Sequence, residues 1–127
     1  MKLLLDTHAF LWFVTGDEQL SRRARRAMEA EDAELILSAA VVWEMAIKVR
    51  LGRLSLPSAI SEYVAEKLDA GFQTLPIEWR HAAAVDKMPF HHRDPFDRLL
   101  AAQALAEGLP LVTGDSVLRA YGVKVIW

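Results

Sequence analysis

HHRDPFDRLLAAQALA, residues 91–106, reads as a helix bound for the core. It opens as a helix start should: Asp94 suits the N-cap, Pro95 the first helical position, and Asp97 follows three residues after the cap. Leu99, Leu100, Ala101, Ala102, Ala104, Leu105 and Ala106 then make the helix apolar on almost every side. A helix of that kind belongs in a core, and any polar group on it needs a reason. Asp97 sits where the segment emerges, and Asp6, Glu44 and Asp115 occupy similar places elsewhere in the chain. The expectation is that these acids converge.

Outward from this helix the chain reads as strands alternating with helices. Leu3–Leu5 is a continuous apolar run, as in a strand covered on both faces, with Asp6-Thr7 at its carboxyl end. Ala9–Val14 reads as helix and is broken by Thr15-Gly16-Asp17. Leu20–Ala30 is a helix whose arginines 22, 23, 25 and 26 read as a solvated face. Glu34–Leu37 is a second strand, and Ser38 caps a helix over Ala39–Arg50 that is apolar nearly all round except at Glu44. A Glu44–Lys48 pair would contribute only ~0.3–0.5 kcal/mol if exposed, whereas burying an unpaired carboxylate costs several, so the pair alone does not account for Glu44. Helix Ser58–Ala70, strand Thr74–Ile77, helical segment Glu78–Val85 and loop Lys87–Arg93 follow. Beyond the central helix and its Gly108 stop come strand Leu109–Thr113, a short helix Ser116–Ala120 and strand Val123–Ile126. This alternation predicts an α/β fold in which a mainly parallel sheet lies between helices, and the whole chain, 1–127, reads as one domain.

Bulk properties narrow the function. The chain has 127 residues, 53% of them hydrophobic, which suits one packed domain. A net charge of −2 excludes a polybasic nucleic-acid binder but not a local basic rim. The absence of cysteine excludes a disulfide scaffold and thiolate chemistry, and fits a reducing cytoplasm. Asp6 and His8 interrupt the apolar start too early for a signal peptide, and no apolar run reaches membrane-spanning length, so a cytoplasmic protein with no membrane partner is expected.

In an open parallel sheet, sites form beyond the carboxyl ends of strands. Asp6 and Asp115 each follow a strand directly, and Glu44 and Asp97 lie on adjoining helices. Like charges ~4 Å apart repel by about 4 kcal/mol at an effective dielectric near 20, so such a cluster needs protons or a cation. Oxygen ligands without cysteine select a hard ion, Mg²⁺ with Mn²⁺ as its substitute, and that ion commonly serves phosphate chemistry. His8, His91 and His92 read as hydrogen-bonding or exposed histidines rather than ligands, because the site is oxygen-rich.

The motifs LLLDTHAFLW, SAAVVWEMAIKVRLGRL, HRDPFDRLLAAQALAEGLPLVTGD and VKVIW together resemble PIN-domain proteins, and closely the VapC-type ribonuclease toxins of prokaryotic toxin–antitoxin pairs. The resemblance spans most of the chain. It implies a three-layer PIN-like sandwich with strand order 3-2-1-4-5, and Asp6, Glu44, Asp97 and Asp115 as catalytic and metal-binding acids. In the DPFD segment the alignment with LLAAQA favours Asp97 over Asp94 as the ligand. Thr7 and Thr113 match positions that help shape the site, and Lys48 and Arg98 are candidates to contact the substrate. The implied activity is Mg²⁺-dependent hydrolysis of RNA, with a protein antitoxin and a second copy of the chain as partners; the aromatic segments near Trp12 and Trp43 are candidates for the antitoxin's groove. Two other readings stand beside it. One is a non-catalytic RNA- or protein-binding module on the same fold. The other is an aspartyl-phosphate phosphatase suggested by LLLDTH, which departs from that chemistry in carrying His8 where a second Asp is usual.

Overall fold

Three consecutive leucines with no exposed surface, Leu3, Leu4 and Leu5, form the centre of the molecule. The computed structural model describes residues 1–127. These leucines belong to β1 (Lys2–Leu5), which pairs in parallel with β2 (Glu34–Ser38) on one side and β4 (Leu111–Val112) on the other. Leu4 stands opposite Ile36 and Leu111 in the two registers. With β3 (Gln73–Leu75) outside β2 and β5 (Val125–Ile126) outside β4, the sheet has five parallel strands in the order 3-2-1-4-5. Strands buried on both faces need no alternation, which is why β1 reads as an unbroken apolar run.

The helices are α1 (Thr7–Thr15), α2 (Arg22–Glu29), α3 (Ala39–Arg50), α4 (Ile60–Asp69), α5 (Trp79–Ala84) and α6 (Pro95–Glu107). Short 3₁₀ turns cover Val85–Lys87 and Ser116–Tyr121. None of the helices is long and apolar enough to cross a membrane. α6 is the most deeply set: Leu100, Ala101, Ala102, Gln103 and Ala104 are all buried. Its start follows the reading of residues 91–106, since the Asp94 carboxylate accepts the backbone N–H groups of Phe96 and Asp97 and Pro95 occupies the first turn.

Several elements differ from expectation for identifiable reasons. α1 starts at Thr7, because Asp6 caps it through the Ala9 N–H at 2.7 Å and leaves no loop between strand and helix. β3 stops at Leu75, where Pro76 cannot donate to a ladder. α3 is not enclosed all round: Trp43 is 56% exposed. With Val42, Ala46, Val64, Leu68 and Leu75 it lines an apolar groove of about 640 Å³ between α3, α4 and β3.

α6 carries one buried polar side chain without charge, Gln103. Its carbonyl oxygen accepts from the Ser38 hydroxyl at the end of β2, and its amide donates to the Pro76 carbonyl at 3.2 Å. The same amide lies 3.5 Å from Nδ1 of buried His81 on α5. Replacing Gln103 by Leu keeps the volume but leaves the Ser38 hydroxyl without an acceptor and the Pro76 carbonyl without a donor, so it should lower unfolding stability by about 1–3 kcal/mol. Urea denaturation measures this, and unchanged stability would show that the network contributes nothing net.

Candidate active site at the carboxyl end of the sheet

The β1 ladder continues one residue past the strand, Asp6 N–H donating to Val112 O at 3.1 Å, so Asp6 stands directly over the end of β4. The chain after β4 supplies Thr113, Gly114 and Asp115 to the same end. α3 leaves the carboxyl end of β2 and brings Glu44 across, and the first turn of α6 brings Asp97. Asp6, Glu44, Asp97 and Asp115 thus line one cavity of about 580 Å³. Asp94, His92 and Lys48 line it too. All the acids expected to meet do meet.

Most of these carboxylates are tied down. Asp6 accepts from the Ala9 N–H and, at 2.5 Å, from the Thr113 hydroxyl, which itself accepts the Asp115 N–H. Glu44 accepts from the Thr7 hydroxyl and lies 3.4 Å from Lys48 Nζ. The expected i, i+4 pair is therefore real, and it is one of two contacts that hold Glu44. Asp115 accepts from the Val117 N–H with one oxygen and from His92 Nε2, at 2.5 Å, with the other. Asp97 accepts no backbone or hydroxyl donor; the nearest donor to it is His92 Nε2 at 3.4 Å.

The electrostatics follow from this difference. The Asp97 carboxyl is pushed up to about 7: burial contributes most, the neighbouring Asp94 carboxylate next, His92 opposes, and Asp6 and Glu44 add to the rise. Burial also raises Asp6, against the Thr113 and Ala9 hydrogen bonds and His8. A carboxyl whose proton affinity is raised by burial and like charge marks a candidate functional site.

His92 lines this cavity at a place that the sequence alone does not reveal. Its Nδ1 accepts the Asp94 N–H at 3.0 Å, so Nε2 bears the hydrogen and donates to Asp115. A ligating imidazole normally donates its second N–H to a neighbour; here that nitrogen is already an acceptor, so His92 acts as a donor that orients Asp115. The one legible signal is its place two residues before a helix cap, where a ring nitrogen reaches the cap's own N–H. Trp127 is a second such residue: it closes one wall of the cavity beside Gly114.

Arg98 does not reach the cleft, contrary to expectation. It is 5% exposed and donates to the carbonyls of Val85, Met88 and Pro89 and to the Tyr121 hydroxyl. A buried guanidinium needs acceptors all round, and the loop before α6 supplies them. Tyr121 also accepts the His92 backbone N–H at 2.9 Å, so Arg98 fixes the loop that carries His92.

Five parallel strands in this order, with acids gathered at their carboxyl ends, define a class, and the sequence agrees: the PIN domain description matches residues 3–124, and the chain belongs to the PIN-domain family. It is 32% identical over 120 residues to Ribonuclease VapC22 of Mycobacterium tuberculosis, covering 94% of this chain and 91% of that protein. Among solved structures, VapBC2 from Rickettsia felis bound to a DNA fragment from their promoter matches with a TM-score of 0.68 at 17% identity, covering 98% of this chain and 97% of that one. FitAcB from Neisseria gonorrhoeae matches with a TM-score of 0.66 at 24% identity, covering 97% and 95%. These structural likenesses bear on the fold.

The Asp97 shift makes a prediction. Between about pH 4 and pH 7 the folded, metal-free chain binds a proton at Asp97 that the unfolded chain has released, so its stability falls as pH rises through that window. Asp97→Asn removes this loss. In EDTA the melting temperature of the variant should exceed that of the wild type by a margin that grows from pH 5 to pH 8, and saturating Mg²⁺ should narrow it by stabilising only the wild type. A margin independent of pH would count against a buried, proton-holding Asp97.

Proposed function

We propose that this chain is a metal-dependent endoribonuclease, acting in the cytoplasm as the toxin of a toxin–antitoxin pair. The observation that carries the reading is the convergence of Asp6, Glu44, Asp97 and Asp115 in one cleft with Asp97 pushed up to about 7. The identity with a named ribonuclease over nearly the full length of both chains supports RNA as the substrate.

The residues fit a hard divalent cation. The donor set is carboxylate oxygen without sulfur, and Asp97 offers oxygens that no backbone or hydroxyl group occupies. Asp97, Asp6, Asp115 and Glu44 would hold Mg²⁺ or Mn²⁺. Such an ion, when bound, neutralises charge on a phosphodiester and makes a water more acidic. The chain's own groups do the rest. Thr113 and the α1 amino end fix the direction of Asp6, Thr7 fixes Glu44, and His92 fixes Asp115. Lys48, at the rim and 3.4 Å from Glu44, would offer its ammonium to a substrate phosphate.

The VapBC structural neighbours support a cognate antitoxin as partner. The apolar groove around Trp43 is the surface we assign to it; Trp12 lies instead in the acidic cleft and at its edge. A homodimer accords with the same family, and largely exposed Trp79 offers apolar surface outside both cavities.

Cleavage of a single-stranded RNA should cease in EDTA and return with Mg²⁺ or Mn²⁺; full activity in metal-free protein would refute the mechanism. Expression alone should arrest growth of a bacterial host, and co-expression of the antitoxin should relieve it.

The two acids of the α6 amino end should separate cleanly. Asp94 caps and Asn caps almost as well, so Asp94→Asn should keep the fold and most activity. Asp97→Asn should keep the fold and lose at least a hundredfold in cleavage rate, about 2.7 kcal/mol in barrier. Asp94→Ala should cost on the order of 1 kcal/mol of stability. An inactive Asp94→Asn beside an active Asp97→Asn would make Asp94 the ligand.

A further inference from the structure

Beside the acidic cleft lies a second cavity of about 380 Å³, and the two share Thr7, His8, Trp12 and Lys48 as a common wall. His8 is exposed at the crest of this wall, two residues after Asp6. Its ring is held flat against Trp12 one turn later on α1, with centroids 5.2 Å apart and planes 26° from parallel. Trp12 is backed in turn by Trp127, 6.0 Å away. Trp127 lies there because residue 114 is glycine: a Cβ at that position would fall 3.1 Å from the indole ring. The result is an aromatic stack anchored in the core at one end and open at His8 at the other. The second cavity adds the exposed Arg53 and Ser55 and the hydroxyl-bearing Tyr63 to this wall.

On the reading of the cleft as an RNA-cleaving site, we propose that His8, held by Trp12, is a stacking platform for an unpaired nucleobase next to the scissile phosphate, and that the cavity behind it receives that base. The substrate class that follows is RNA with an unstacked, single-stranded base at the cut. Three features argue for a base here rather than another group. A π-face kept rigid by a second ring suits a flat aromatic ligand, whatever its hydrogen-bonding edge. The platform adjoins the acids, so a base seated on it leaves its phosphate beside Asp6. Lys48 and Arg53 border the cavity with the positive charge a phosphate backbone needs. A base within an A-form helix reaches such a pocket only by losing its pair and its stacking, whereas loops and single strands present their bases to aromatic side chains.

The test is binding of a labelled single-stranded RNA, and of the same strand annealed to its complement, to chains that also carry Asp97→Asn to prevent cleavage. His8→Ala should weaken single-strand binding by about tenfold, the lower part of the range for loss of one stacked base. His8→Phe should restore affinity to within about twofold, because it keeps the face and discards the ring nitrogens. Duplex binding should be weaker from the start and indifferent to either change. In the cleaving chain, His8→Ala should raise KM with little change in kcat, and its Mg²⁺-induced rise in melting temperature should equal that of the wild type, showing the acids undisturbed.

Unchanged affinity in His8→Ala, or His8→Phe as weak as His8→Ala, overturns the platform while cleavage by the wild type leaves the nuclease reading intact. Equal affinity for duplex and single strand overturns the substrate class. If His8→Ala instead loses only neutralisation by the antitoxin, the wall serves the protein partner and the proposal fails. A wild type that neither binds nor cuts RNA removes both readings together.

Discussion

Carboxylates gathered in one cleft repel one another, and the rest of the fold has to hold them there. Asp6, Glu44, Asp97 and Asp115 enter one cavity from β1, α3, α6 and the turn after β4, and nothing in their own chemistry keeps them together. What keeps them together is the burial of the elements that carry them, above all the three leucines of β1 and the face of α6 from Leu100 to Ala104. Each fully buried leucine contributes about 1.5–3 kcal/mol, which is the scale of the repulsion to be offset. The strain is then distributed unevenly. Asp6, Glu44 and Asp115 receive hydroxyl, backbone, ammonium or imidazole donors, while Asp97 receives only a distant His92 and responds by holding its proton.

These donors also give the cleft its precision. Thr113 accepts from the Asp115 backbone and donates to Asp6, so two acids on neighbouring segments share one hydroxyl as reference. His92 takes the Asp94 N–H on one nitrogen and offers the other to Asp115, coupling the α6 cap to the turn after β4. Its loop is held by Arg98, whose guanidinium reaches three carbonyls and the Tyr121 hydroxyl. A lysine there would have the charge but not the fork of donors. Through the Asp94 N–H and Arg98, α6 thus holds the loop of His92, so the central helix positions a group it does not carry.

What the sequence made legible was periodicity and punctuation. The leucine run of β1, the DP cap of α6 and its Gly108 stop each rest on local chemistry, and each stands where the residues indicate. The acid set came from carboxylates that interrupt apolar helices or follow strands directly, while the strand order and the acids' metal-binding roles came from resemblance to the PIN family. What was not legible depends on contacts between distant segments. Arg98 reads like any cation near a cleft until its loop is seen to fold over it. His92 reads as a loop histidine until Asp115, 23 residues on, is found beside it. Trp43 sits on a helix whose apolar residues go all the way round, and composition cannot say which of its faces the core leaves uncovered.

The Gln103 amide bears on a different property, rotational definition. A helix lined with leucine and alanine on nearly every side has many near-equivalent ways to roll in an apolar bed, since dispersion contacts carry little directional information. Gln103 has just one orientation that meets Ser38, Pro76 and His81 together. It works as an indexing pin, set less than two turns down the shaft from the Asp97 carboxylate it aims. Aliphatic exchanges elsewhere on α6 can therefore alter how tightly the core packs without turning the acid out of the cleft. The interior of such a chain is free to drift in sequence as long as the pin stays in its hole.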